Sequence, residues 1–270
     1  MTVPTGTPSS DASPSEMTDG SDDADESADR SSPRPASGRS SPQATSGRSS
    51  PRPDTGRAGI VVAGGRSERF GRTDKALATL DGDPLIAHVV SRVAPVVDEL
   101  VVNCRRDQRD DFAAAIDDVL EDEFGRVAFA LDETDDGGPV AGVRTGLRAT
   151  EAEYAVLTPC DVPRIEPAFL AHLCARARRR TGAALRLNGR VEWLPSAVHV
   201  RAAEAACVEA LAGDGSADAF RRALDPIVID QREIVAHVDP QTLQDVDTTG
   251  DLERLRSRRG PSSERSLSSR

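Results

Sequence analysis

Ile60-Val61-Val62-Ala63-Gly64-Gly65-Arg66-Ser67-Glu68-Arg69-Phe70-Gly71-Arg72-Thr73-Asp74-Lys75 joins a short apolar run to a glycine-rich loop. The apolar run reads as a buried strand, and the two glycines behind it let backbone approach a ligand closely. Lys75 closes the loop and is the only lysine in the chain, against 33 arginines. With arginine used everywhere else, a lysine here suggests a site that wants a compact ammonium rather than a planar fork. After a glycine loop, the natural partner of that charge is a phosphate chain.

Outward from this stretch, short apolar runs alternate with amphipathic ones. Ala58–Ala63 is the first strand. A helix follows over Pro84–Val97, with Pro84 suited to its first turn and Leu85, Ile86, Val89, Val90 and Val93 at helical spacing. Strands at Leu100–Asn103, Val127–Leu131 and Tyr154–Thr158 then alternate with helices at Asp107–Leu120, Pro139–Ala149 and Pro167–Arg180. This rhythm predicts an α/β fold, a three-layer doubly wound and mostly parallel sheet. Beyond residue 181 the pattern changes. Ala183–Leu187, the turn pair Asn188-Gly189 and Val191–Leu194 read as a hairpin. A strand at Ala197–Val200, helices over 201–212 and 216–224, strand-like runs at Ile227–Ile229 and Ile234–Val238, and a last helix over 249–256 complete the reading.

Composition sets the limits of the folded region. Residues 1–57 are rich in Ser, Pro, Asp and Gly and hold three nine-residue copies, SSPRPASGR (31–39), SSPQATSGR (40–48) and SSPRPDTGR (49–57). Such a tract buries too little apolar surface to offset its ordering entropy and is expected to be disordered, as is the basic, Ser-rich 257–270. One domain over 58–256 remains. Of the chain's 45 acids and 34 bases, residues 1–57 take nine and six and residues 256–270 take one and five. The remaining 58–255 therefore carries 35 acids and 23 bases. That excess of acid argues against nucleic acid as principal partner. With lysine so scarce, it also resembles adaptation to a salty cytoplasm. Cys104, Cys160, Cys174 and Cys207 form no C-x-x-C pair and are expected as reduced, mostly buried thiols. No apolar run is long enough to span a membrane, so the expected location is cytoplasmic.

Four polar features fall at the carboxyl ends of the four expected parallel strands, where open α/β sheets bind ligands: Gly64-Gly65, Asn103, Asp132 and Asp161. Taken singly, Asn103 and Asp132 are also ordinary turn residues. Asp161 follows the apolar YAVLTP run, where a carboxylate is costly without a cation, and it lies several residues too early to cap the helix near Pro167. The loop is neither a Walker loop, since five residues separate Gly65 from Gly71 and Arg72 follows, nor a G-x-G-x-x-G fingerprint.

Its spacing, Ala63-Gly64-Gly65-x3-Arg69-x-Gly71-x3-Lys75, resembles the pyrophosphorylase-type nucleotidyltransferases. The longer stretch through LDGDPLIAHVVSRV, with LVVNCR (100–105), LDETDDGGPVAGVRTGL (131–147) and LTPCDVPRI (157–165), resembles the molybdenum cofactor guanylyltransferases over about residues 58–256. The resemblance implies that Val62, Ala63, Gly64 and Gly65 present backbone to GTP, that Lys75 and Arg69 hold its phosphates, and that Asn103 and Asp132 complete the pocket. It implies Mg²⁺ on Asp161. It also implies molybdopterin, or its molybdenum form, as acceptor, and transient contacts with other cofactor-biosynthesis proteins or molybdoenzymes. Residues 58–182 would then bind nucleotide and 183–240 would shape the acceptor side.

Asp247, where the family usually carries Asn, reads either as an aid to the metal or pterin phosphate, or as a helix cap beside Thr248 and Thr249. Arg72-Thr73 departs from a loop often richer in glycine. Pro195 matches a proline on the family's pterin side, and Trp193 reads equally as core or as pterin-stacking surface. Sister reactions stay open: cytidylyl transfer to the same cofactor, guanylyl transfer to a cobinamide phosphate, or a non-catalytic nucleotide-binding module. Because residues 1–56 hold no strand, motif or apolar face, a chain beginning near Gly56 is expected to fold and bind GTP as the full chain does. A marked loss of GTP affinity on this truncation would refute that expectation.

Overall fold

The computed structural model describes residues 56–65, 70, 74–117, 127–134 and 137–257. The repeat tract up to residue 55, Arg69, residues 118–120 of the expected second helix and the C-terminal 258–270 lie outside them. Arg57 belongs to the first strand, one residue ahead of the expected boundary.

Strand β1 (Arg57–Val62) pairs in parallel with both β4 (Glu99–Cys104) and β6 (Tyr154–Pro159), and β4 pairs in parallel with β5 (Ala128–Leu131). Two short strands, β2 (Thr79–Leu80) and β3 (Asp83–Pro84), form a separate antiparallel hairpin that the apolar pattern did not announce. The main sheet continues from β6 through β8 (Arg190–His199) and β7 (Gly182–Leu187) to β9 (Ile227–Ile229), in the order β5-β4-β1-β6-β8-β7-β9. Only β8 runs against the others. The strand order reverses between β1 and β6, the crevice where open α/β sheets bind ligands.

Alternation along the strands supplies two cores. Val61, Val102 and Val156 face a cluster completed by α1 (Leu85–Val93), α2 (Arg109–Asp117) and α4 (Pro167–Ala177) through residues such as Val89, Phe112 and Phe169. Ile60, Val101 and Leu157 face the other, completed by α3 (Gly138–Leu147), α5 (Val200–Ala212) and α6 (Ala217–Leu224) through Val143, Cys207 and Phe220. The result is the expected three-layer, doubly wound sheet. All four cysteines are free and buried; burial, then the charges of Asp132 and Asp107, pushes the Cys104 thiol up to about 12, so it stays protonated.

Two expectations near the C-terminus need correction. The hairpin turns at Asn188-Gly189 as expected, both residues having positive φ, but its second arm does not stop at Leu194. It runs on as one strand to His199, and Val200 opens α5 instead of ending a further strand. Pro195 lies where the β7–β8 pairing shifts register, so its missing N–H interrupts no regular ladder. Ile234–Val238 is not a strand. Gln231–Val235 forms helix α7, capped by the Asp230 side chain accepting from the Glu233 N–H. Ile234 and Val238 are buried four residues apart while Val235 is exposed, which is helical spacing rather than alternation. The last helix, α8 (Thr249–Ser257), packs Leu252 and Leu255 against Phe70, Leu80 and Leu85.

Asp230→Ala is expected to cost about 1 kcal/mol of stability in chemical denaturation, the usual cost of losing an N-cap. A strand at 234–238 would have given the Asp230 side chain no such role, and an unchanged denaturation midpoint would count against the helix.

Candidate active site

Parallel register brings the strand ends to one level. Val62 lies opposite Asn103 on one side and Pro159 on the other, and Asn103 lies opposite Ala130. Backbone bonds carry the alignment one residue further, from Ala63 N–H to the Asn103 carbonyl (2.9 Å), from Asp132 N–H to Cys104 (2.9 Å) and from Cys160 N–H to Val62 (3.2 Å). Gly64, Asn103, Asp132 and Asp161 therefore share one edge, as their positions in sequence suggested.

Asn103 is completely buried. Its amide donates to the Ala130 carbonyl (3.1 Å) and to Asp132 Oδ1 (2.7 Å), while its own oxygen has no hydrogen-bond partner among the described residues. A Cβ on Gly142 would collide with that oxygen, and one on Gly64 would collide with the other oxygen of Asp132. The two glycines are thus required by close approach to the Asn103–Asp132 pair. Together they wall a cavity of about 460 Å³, also lined by Thr134, Pro139 and Arg144. Sequence reasoning missed the wall from α3; the only signal was its glycine and proline content, GGPVAGV.

On the other side of the loop, Lys75 opens a 3₁₀ turn (Lys75–Leu77) that Asp74 caps through the Ala76 N–H. Its Nζ donates to Asp161 Oδ2 (2.6 Å) and Asp247 Oδ1 (2.9 Å), with Lys75 and Asp161 largely buried and Asp247 half exposed. Burial by itself would lower the Lys75 pKa. The charges and hydrogen bonds of Asp161 and Asp247 together outweigh it and hold the ammonium above its ordinary value. Asp161 Oδ1 is buried with no hydrogen-bond partner among the described residues. Nearby, Asp245 is held above the usual carboxylate range by burial, then by the charges of Asp247 and Asp161. The capping role left open for Asp247 falls instead to Thr248, which exchanges hydrogen bonds with Asp251 (2.8 and 3.2 Å) at the start of α8.

A second cavity of about 760 Å³ is lined by Lys75, Asp161, Trp193, Pro195 and Gln241, and it shares Val62, Gly65 and Pro139 with the first. Trp193 packs edge-to-face on Phe220 (5.8 Å between centroids) and also lines this cavity. Gln241 comes from a 3₁₀ turn (Pro240–Leu243) that no sequence pattern signalled.

A glycine loop, a largely buried ammonium and strand-end carboxylates thus meet at the ligand-binding edge of a doubly wound sheet. The sequence profile of the MobA-like NTP transferase domain matches residues 59–227. A probable molybdenum cofactor guanylyltransferase of Haloferax mediterranei is 46% identical over 203 residues, covering 75% of this chain and 94% of the relative. One of the same description from Natronomonas pharaonis is 40% identical over 201 residues, covering 74% and 96%. The chain belongs to the MobA-like NTP transferase family and, within it, groups with the molybdenum cofactor guanylyltransferases. The solved molybdopterin-guanine dinucleotide biosynthesis protein A of Archaeoglobus fulgidus shares the fold, with TM-score 0.60 at 18% identity over 74% of this chain and 97% of that one.

Gly142→Ala is the sharpest test of the first cavity. In an open helix the change would gain about 1 kcal/mol from propensity. Here the new methyl must displace the Asn103 amide, so nucleotide affinity is expected to fall by about tenfold while circular dichroism stays native. Unchanged affinity would show that Asn103 is not part of the nucleotide pocket.

Proposed function

We propose that this chain transfers GMP from GTP to the terminal phosphate of molybdopterin, or of its molybdenum-loaded form, and releases pyrophosphate. The observation that carries the reading is the wall the two cavities share at Val62, Gly65 and Pro139, with Lys75 and Asp161 beside it. A guanine nucleotide in the first cavity would bring its phosphates to the glycine loop. An acceptor in the second would meet the α-phosphorus from the other side. Nucleotidyl transfer needs that in-line approach and a neutralised leaving group, and positioning and electrostatics supply nearly all of it.

In this reading Val62, Ala63, Gly64 and Gly65 present backbone to the nucleotide. Asn103 and Asp132 close the base pocket, where an acceptor-only carboxylate suits the adjacent N–H donors of guanine. Lys75, protonated throughout the neutral range, is the cation for the phosphates, with Arg69 as its partner from the loop. Residues 183–240, which contribute Trp193 and Pro195, shape the acceptor side.

Mg²⁺ fits at Asp161, whose buried Oδ1 lacks a hydrogen-bond partner among the described residues, with Asp247 as the neighbouring carboxylate on the same lysine. Among the described residues no group of three or more His, Cys, Asp or Glu is placed to hold a metal. The ion would therefore take most of its ligands from phosphate and water, which is the habit of Mg²⁺. When bound, it would neutralise charge on the leaving pyrophosphate. Among the described residues no helix is long and apolar enough to cross a membrane, and we place the reaction in the cytoplasm.

Asp161→Asn is expected to lower turnover by about a hundredfold or more while leaving the fold intact and GTP binding only moderately weaker. Mg²⁺-dependent pyrophosphate release with GTP, CTP and ATP, each with and without molybdopterin, checks the residue and the substrates together. A stable, fully active Asp161→Asn protein would remove the metal assignment. Release driven by CTP in place of GTP would replace the guanylyl reading.

A further inference from the structure

Arg105 and Gln108 lie just beyond β4, and neither lines either cavity, yet both are tied to the loop that does. Arg105 is mostly buried. One of its guanidinium nitrogens donates to the carbonyls of Gly64 (2.9 Å) and Gly65 (2.8 Å), and Asp107 steadies the group from the far side (3.1 Å to Nε). Gln108 is 4% exposed, and its Oε1 accepts from the Arg105 backbone N–H (2.9 Å). Its amide nitrogen faces the carbonyls of Ala63 (3.4 Å) and Gly65 (3.5 Å) and donates to Asp74, the residue that caps the turn carrying Lys75.

We propose that Arg105 and Gln108 are positioning residues that aim the glycine loop at the triphosphate and set Lys75 beside it. A trans peptide is planar, with its C=O and N–H pointing in opposite directions. Drawing the carbonyls of Ala63 and Gly64 back toward Gln108 and Arg105 turns the N–H groups of Gly64 and Gly65 the other way, toward the cavities that these glycines line. The negative ends of the carbonyl dipoles are thereby removed from the phosphate side, and backbone donors replace them. Through Asp74, the same glutamine ties the start of the loop to its end, so the donors and the ammonium form one preorganised set. Since Arg105 lies behind the loop, its charge acts through the loop's shape and not by contact with phosphate.

This inference rests on the guanylyl reading for the choice of nucleotide. The test measures displacement of a fluorescent GTP analogue by GTP and by guanosine, on the full chain and on Arg105→Lys, Arg105→Gln and Gln108→Met. The variants are expected to weaken GTP by about tenfold or more while guanosine changes by less than about twofold, because the lost hydrogen bonds serve only the phosphates. Lysine at 105 should behave like glutamine, since it keeps the charge but loses the rigid planar group that Asp107 anchors at Nε while Nη1 reaches both carbonyls. Full affinity for GTP in Arg105→Lys would overturn the proposal in favour of charge alone. Equal weakening of GTP and guanosine would overturn it in favour of general loosening. Should Gln108→Met fail to fold, the two Arg105 variants decide. A wild-type chain that binds another nucleoside triphosphate and not GTP would refute the guanylyl reading, and the same triphosphate-to-nucleoside ratio for that base would still judge the clamp.

Discussion

Every part of the site depends on β1 being held in parallel register between β4 and β6. Val62 is opposite Asn103 and Pro159 at once, so three strands end at one level. With its backbone groups paired on both sides, β1 has no freedom to slip, and a slip of one residue would exchange its two buried faces. The loop that follows is therefore launched from a fixed point. The glycines, the Asn103–Asp132 pair and Asp161 inherit their relative positions from that alignment.

Electrostatics complete what register begins. The folded region carries a large excess of acid, and its single lysine is placed between two carboxylates. Removing an ammonium from water is costly unless paired charges and hydrogen bonds compensate, and here they do so beyond balance. The buried oxygens of Asn103 and Asp161, without a hydrogen-bond partner among the described residues, are exceptions to the rule that interiors satisfy their polar groups. Both lie at the ligand-binding edge, and such unsatisfied groups are tolerated most readily where function needs them.

The layers of the fold were legible because each strand and helix carries its own period. Alternation along Ala58, Ile60 and Val61 already assigns two faces, and the recurrence of Leu85, Ile86, Val89, Val90 and Val93 already assigns a helix. Short elements held by side-chain caps were not legible in this way. Ile234–Val238 carries too few apolar residues to separate period two from period four, and the Asp230 cap settles it. Val191–Leu194 and Ala197–Val200 read as two separate strands, whereas the register shift with β7 lets a single strand continue past Pro195.

The sequence by itself determined the doubly wound sheet, the glycine loop with its lone lysine, and the polar residues at the three other strand ends, because these are local patterns in an ordered chain. Tertiary structure alone decided that Asp247 joins Lys75 and Asp161 from 172 and 86 residues away, and that Arg105 and Gln108 hold the loop from behind. Local periodicity carries no record of such contacts. They arise only when separate strands and helices are packed, and distance in space then replaces distance along the chain.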